Sequence, residues 1–156
     1  MYVQLDIQMA VNEDEVEPPS TQQMQRWVEL ALADRTQDAE LTIRIVDEAE
    51  IAELNKQYRK KDGPTNVLSF PFESDIELET PLLGDLVICA SIVAKEAKEQ
   101  NKSLQAHWAH MIIHGTLHLL GYDHLTESEA NEMESKEIDL LQQLGFSNPY
   151  EVTTLS

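Results

Sequence analysis

Residues 114 to 124 read His-Gly-Thr-Leu-His-Leu-Leu-Gly-Tyr-Asp-His, and the three histidines have the spacing of metal ligands. At about 100° per residue, His114 and His118 lie roughly 40° apart on one helical face, so their imidazoles can meet at one ion. Gly121 lets the chain leave the helix in a left-handed turn and bring His124 back as a third nitrogen. A continuous helix would instead carry His124 about 9 Å beyond His118. Three neutral nitrogens suit Zn²⁺, and a protein that gives only three leaves a fourth tetrahedral position for water, as catalytic zinc requires. Such an ion brings the pKa of water to about 7 and polarises a phosphoryl or carbonyl oxygen, so hydrolysis is the chemistry to expect.

The neighbours of this triplet have more than one reading. Asp123 reads as a carboxylate that accepts the outer proton of a ligand imidazole, or as a solvated turn residue. As a fourth ligand it would close the site and make the zinc structural. His107 and His110 share the stripe of His114 but stand roughly 10 and 6 Å from it along the axis. Each therefore reads as a core histidine, or as one that supports a ligand from behind.

Eleven basic against 29 acidic residues give a net charge of -18, which repels a polyanion at long range unless the bases are clustered. Seven of the eleven do cluster: Lys56, Arg59, Lys60 and Lys61 in one segment, Lys95, Lys98 and Lys102 in another. The second group is interleaved with Glu96 and Glu99 and reads equally as a solvated face. A guanidinium stays protonated and grips phosphate oxygens in a bidentate fork, which makes Arg59 a candidate anchor and catalytic cation, with Lys61 beside it in substrate binding.

The elements that must carry these groups follow from periodicity. Val3, Leu5, Ile7 and Met9 alternate as a half-buried strand, and Pro18-Pro19 with Ser20 or Thr21 opens a helix to about Ala33. Leu41, Ile43 and Ile45 alternate again; Asp47 and Glu50 then cap a helix bearing Ile51, Leu54 and Tyr58, which delivers Arg59 near its end. Residues 67–72 form a short apolar segment, 73–81 an acidic loop, and 83–90 an apolar run that belongs inside a sheet. A helix starts at Ser91, breaks near residues 101–103, and resumes through the histidines to Gly121. Thr126 and Glu129 cap a final acidic helix whose Met133, Ile138, Leu141 and Leu144 face the core until Gly145. The expectation is an α+β (α/β mixed) fold: one compact domain over residues 1–156, about four strands in a mixed sheet packed with helices, and the zinc site at the end of a central helix. The single Cys89 sits in an apolar run as a small buried hydrophobe, no stretch approaches the roughly 18 apolar residues of a membrane span, and the first twenty residues lack a basic start with an apolar run. A cytoplasmic protein without membrane contact fits.

The frame HxxxHxxGxxH resembles the zinc motif of metzincin proteases, HExxHxxGxxH, but Gly115 stands where those enzymes carry the glutamate that moves the proton. Peptide hydrolysis by that route loses its general base. Taken whole, HGTLHLLGYDH at 114–124, PTNVLSFP at 64–71 and GDLVI at 84–88 resemble the bacterial YbeY family from about Leu41 onward. That resemblance implies a single-strand-specific endoribonuclease of 16S ribosomal RNA 3′-end maturation and ribosome quality control. It implies one zinc held by His114, His118 and His124, and a functional Arg59. Ribosomal RNA, the ribosome or small subunit, and a protein that delivers the RNA are the expected partners. The competing readings are a metal-dependent peptidase and a non-enzymatic ribosome-assembly factor with a structural zinc. In the PTNVLSFP segment, Asn66 and Ser69 read as RNA contacts or as cleft wall, and Phe70, Phe72 and Trp108 as base-stacking rings or core.

Overall fold

The alternation that begins at Val3 becomes β1 (Val3–Met9), with Val3 buried while Gln4, Asp6 and Gln8 face solvent. The structure is a computed structural model, and it describes residues 2–11, 18–35, 37–72, 82–123 and 125–150. β2 (Ala39–Val46) pairs parallel with β1 on one side and with β4 (Leu82–Cys89) on the other. β3 (Val67–Pro71) runs antiparallel to β4, which gives a four-stranded mixed sheet of order β1-β2-β4-β3. The expected α+β architecture is thus the observed one.

Burial explains why β4 reads as one apolar run rather than an alternation. Leu86 and Ile88 enter the main core on one face, while Val87 and Cys89 join Val46, Leu68 and Ile51 in a second cluster on the other. From Leu86 to Cys89 both faces of the strand are covered, so this stretch is apolar throughout, while Asp85 before it is exposed. Cys89 is fully buried, as its surroundings in sequence suggest.

Five helices complete the described chain: α1 (Thr21–Ala31), α2 (Glu48–Arg59), α3 (Ala90–Glu99), α4 (Leu104–Leu119) and α5 (Glu127–Gln143). Their starts follow the capping signals. Ser20 and Gln23 form a capping box, and the side chains of Asp47, Ser103 and Thr126 each accept a hydrogen bond from the backbone three residues on. α2 supplies Ile51 to the smaller core, whereas α4 packs against α1, α3, α5, β3 and β4. Eleven of the sixteen residues of α4 are buried, so this central helix is apolar nearly all round. Within residues 107–119 only His114 and His118 escape full burial. The acidic stretch 73–81 lies outside the described residues.

Candidate functional site

The end of α4 is shaped by Gly121. Its φ of 102° is left-handed, its N–H donates to the His118 carbonyl at 3.0 Å, and the Tyr122 N–H donates to the Leu117 carbonyl at 3.1 Å. This pair of bonds caps the helix and folds the chain back over its last turn. Tyr122 and Asp123 thereby join His114 and His118 in lining one cleft of about 460 Å³. His124, the third histidine of the motif, lies outside the described residues.

His114 and His118 are brought together as their spacing requires: Nε2 of one lies 3.1 Å from Nε2 of the other. Bonds of 2.0–2.1 Å to a tetrahedral zinc set neighbouring ligand nitrogens about 3.3–3.4 Å apart. On the far side of His114, Nδ1 donates a hydrogen bond to Oε1 of Glu137, a fully buried carboxylate on α5. That bond assigns the ring proton to Nδ1 and leaves a lone pair on Nε2, toward His118.

Glu137 accepts from two further donors, His110 Nε2 at 3.1 Å and the Tyr150 hydroxyl. Burial alone pushes this carboxyl up, but hydrogen bonds from His110 and His114 outweigh it and hold the group down at about 2. Burial and the Glu137 carboxylate together push the Tyr150 phenol up, so it keeps its proton. His110, His114 and Glu137 place ligand atoms within 4.8 Å of one another, consistent with a metal cofactor near His114. The atoms that face Glu137 are donors, however, and the lone pair of His114 points the other way; a cation fits better on the His118 side.

Cations line the same cleft as the histidines. α2 ends in a left-handed Lys60, φ 56°, and the Asn55 carbonyl accepts the Lys61 N–H at 3.3 Å while Asn55 Nδ2 donates to the Gly63 carbonyl at 2.9 Å. This turn sets Arg59 and Lys61 on the same cleft. Both side chains are exposed, and neither pairs with an acid among the described residues. Within a molecule of charge -18, two cations with no acid partner among the described residues make the cleft a local site for an anion. Lys95, Lys98 and Lys102 do not line it.

β3 forms the remaining wall, and here Asn66 is spoken for. Its Nδ2 donates to Glu96 Oε1 and Oε2 at 3.1 and 3.3 Å, and its Oδ1 accepts the Val67 N–H at 2.7 Å. Glu96 also takes a hydrogen bond from His107 Nε2 at 2.9 Å. Asn66 therefore ties β3 to α3 and α4, the wall role of the two that the sequence allows it. Ser69 Oγ lies 3.4 Å from the Gly115 carbonyl. Trp108 is core, Phe70 is half-buried against Tyr58, and Phe72 is exposed.

Gly115 is more than a missing glutamate. A Cβ there would stand 2.7 Å from Leu86 Cδ2 and 3.4 Å from Ser69 Oγ, so any side chain at this position would have to displace the buried Leu86 side chain.

Glu137 was not among the residues the sequence singled out. Its signal is nonetheless there: Met133, Glu137, Leu140, Leu141 and Leu144 form one helical stripe, and a carboxylate occupies an apolar place in it. The inward face takes Leu140 and Glu137, while Ile138 is only half-buried.

Comparison with known proteins puts the chain in the hydrolase class, among ribonucleases. Residues 6–145 match the family model Endoribonuclease YbeY, and the chain belongs to that family. The solution structure of TM1509 from Thermotoga maritima is similar, with a TM-score of 0.61 and 28% identity over 90% of this chain and 88% of that one. No described helix is long and apolar enough to cross a membrane.

Proposed function

We propose that residues 1–156 act as one zinc-dependent endoribonuclease that cuts single-stranded RNA, in 16S ribosomal RNA 3′-end maturation and ribosome quality control in the cytoplasm. Family membership supports the ribonuclease class. The observation that carries the rest is the pair of imidazole nitrogens 3.1 Å apart in a cleft also lined by two cations, Arg59 and Lys61, that pair with no acid among the described residues.

In this reading His114, His118 and His124 hold one zinc ion. Bound there, zinc supplies a Lewis acid for the phosphodiester and eases ionisation of a nucleophile near neutral pH. Arg59 grips the non-bridging phosphate oxygens in a fixed fork and offsets the charge that builds on them, and Lys61 holds a neighbouring phosphate. Asp123, which lines the same cleft, accepts the outer proton of a ligand imidazole. Gly115 has no side chain to move a proton, which argues against a peptidase built on the metzincin plan.

A body this acidic meets free RNA slowly at low salt, so the ribosome or small subunit, or a protein bound to it, presents the strand. The test is to offer the purified protein single-stranded RNA, duplex RNA and casein, each with and without a chelator. Cleavage of single-stranded RNA alone, abolished by chelation while the fold survives, is expected. Chelator-resistant RNA cleavage, or digestion of casein, overturns the reading, and loss of the fold on chelation favours a structural zinc.

A further inference from the structure

α5 is an acidic helix, and most of its carboxylates lie in water where acids cost little. Glu137 does not: it is completely buried beneath α4, on the stripe that otherwise carries Met133, Leu140 and Leu141. A buried carboxylate persists only where donors replace its lost water. Three do so here, and they come from different parts of the chain. His110 and His114 descend from α4 on successive turns, and Tyr150 returns from the segment that follows Gly145. That return is itself built: Gly145 takes a left-handed φ of 87°, and the Phe146 N–H bonds back to the Leu141 carbonyl at 2.9 Å. The Tyr150 N–H is then fixed by Asn148 Oδ1 at 2.8 Å.

We propose that Glu137 is a positioning residue for His114, and that Tyr150, with the segment 146–150, is the strap that holds Glu137 in place. An isolated imidazole divides its proton between two nitrogens. An acceptor at Nδ1 that has no donor to offer removes that choice, so the Nε2 lone pair of His114 always faces His118. The negative charge behind the ring also raises its basicity as a ligand. His110 takes part as a donor that orients the second carboxylate oxygen, and its own place is fixed by the Tyr150 ring, with centroids 5.4 Å apart. The strap gives the stretch after α5 a function: the ligand set at one end of α4 depends on a phenol that the chain supplies last among its described residues.

The proposal rests on the reading that His114 binds a metal, and its test separates the two. In Glu137→Gln the amide can turn its NH₂ to His114 Nδ1, which moves the ring proton to Nε2 and blocks the ligand position. Zinc affinity of the purified full chain, measured by competition with a chromophoric chelator, should then fall about 10- to 100-fold. Tyr150→Phe should lower it less, by several-fold, with an unchanged far-ultraviolet spectrum. Nitrogen-15 NMR of the metal-free protein gives a readout that needs no metal: His114 should be protonated at Nδ1 in the wild type and shift toward Nε2 in Glu137→Gln. Unchanged affinity and tautomer in Glu137→Gln overturn the positioning role while leaving the metal reading intact. If Glu137→Gln does not fold, Tyr150→Phe decides, and equal affinity in that variant overturns the strap. A wild-type chain that binds no zinc overturns the proposed function instead.

Discussion

His118 faces His114 across one turn of α4, nitrogen to nitrogen at 3.1 Å, and these two are the residues of the 107–119 run that reach the cleft. The rest of that run is buried, so beyond its first turn α4 exposes only these two imidazoles. Sequence pattern and packing agree on which face this is, because the same i, i+4 spacing that aligns the rings also aligns them away from the apolar contacts.

Arg59→Glu should leave the metal content unchanged and lower RNA cleavage about 100-fold, the usual cost of removing one donor to developing phosphate charge. Lys61→Ala should act mainly on binding, with the salt dependence of log affinity becoming shallower by about 0.7 for one lost contact to a single strand. Single-turnover kinetics and salt titrations separate the two. Full activity in Arg59→Glu contradicts the anchor role.

Gly115→Glu would restore the sequence pattern of a metal peptidase without its activity. The added Cβ would press on Leu86, itself fully buried, so the variant should lose about 1–3 kcal/mol of stability, as overpacked cores do. Thermal unfolding and a casein assay check both halves. A stable variant that digests casein would show that the approach of α4 to the sheet is not as close as described.

Much of this was legible in the sequence, for identifiable reasons. Ser20, Asp47, Ser103 and Thr126 start helices because short polar side chains satisfy free backbone donors, and Gly121 and Gly145 end them because they accept a left-handed turn. The pairing of His114 with His118 and the delivery of Arg59 by α2 follow from the same local rules. Glu137 escaped because α5 carries glutamates on several faces, and periodicity alone does not say which one has donors waiting above it. Ile138 was the expected core residue for the same reason. RNA contact remained one of the two readings of Asn66 because its partner, Glu96, is thirty residues away. Asp123 lines the cleft, and Glu137, from α5, is the carboxylate at Nδ1 of His114.

Asn66→Asp tests the tie between β3 and α3. It removes two donor contacts to Glu96 and sets one carboxylate against another, which should cost about 1–3 kcal/mol. Denaturant titration measures the loss, and Glu96→Gln in the same chain should restore part of it. No recovery in the double variant would mean that the tie is not what holds β3.

His107 makes stability depend on pH. Burial lowers its imidazole below the usual 6.5, more than the Glu96 hydrogen bond and charge raise it, with Lys102 and His110 adding to the lowering. As pH falls through about 6.5, the unfolded chain therefore takes up this proton before the folded one does, and stability drops until the folded ring titrates in turn. His107→Gln should lose less stability than the wild type between pH 7.5 and 5.5, seen as a smaller shift of the denaturant midpoint. Equal shifts contradict the assignment.

The most direct measurement is metal content together with RNA cleavage in the wild type and in His118→Ala. One zinc per chain in the wild type, loss of both zinc and cleavage in the variant, and a retained fold are predicted. A zinc-free variant that still cuts single-stranded RNA at the wild-type rate would contradict the account.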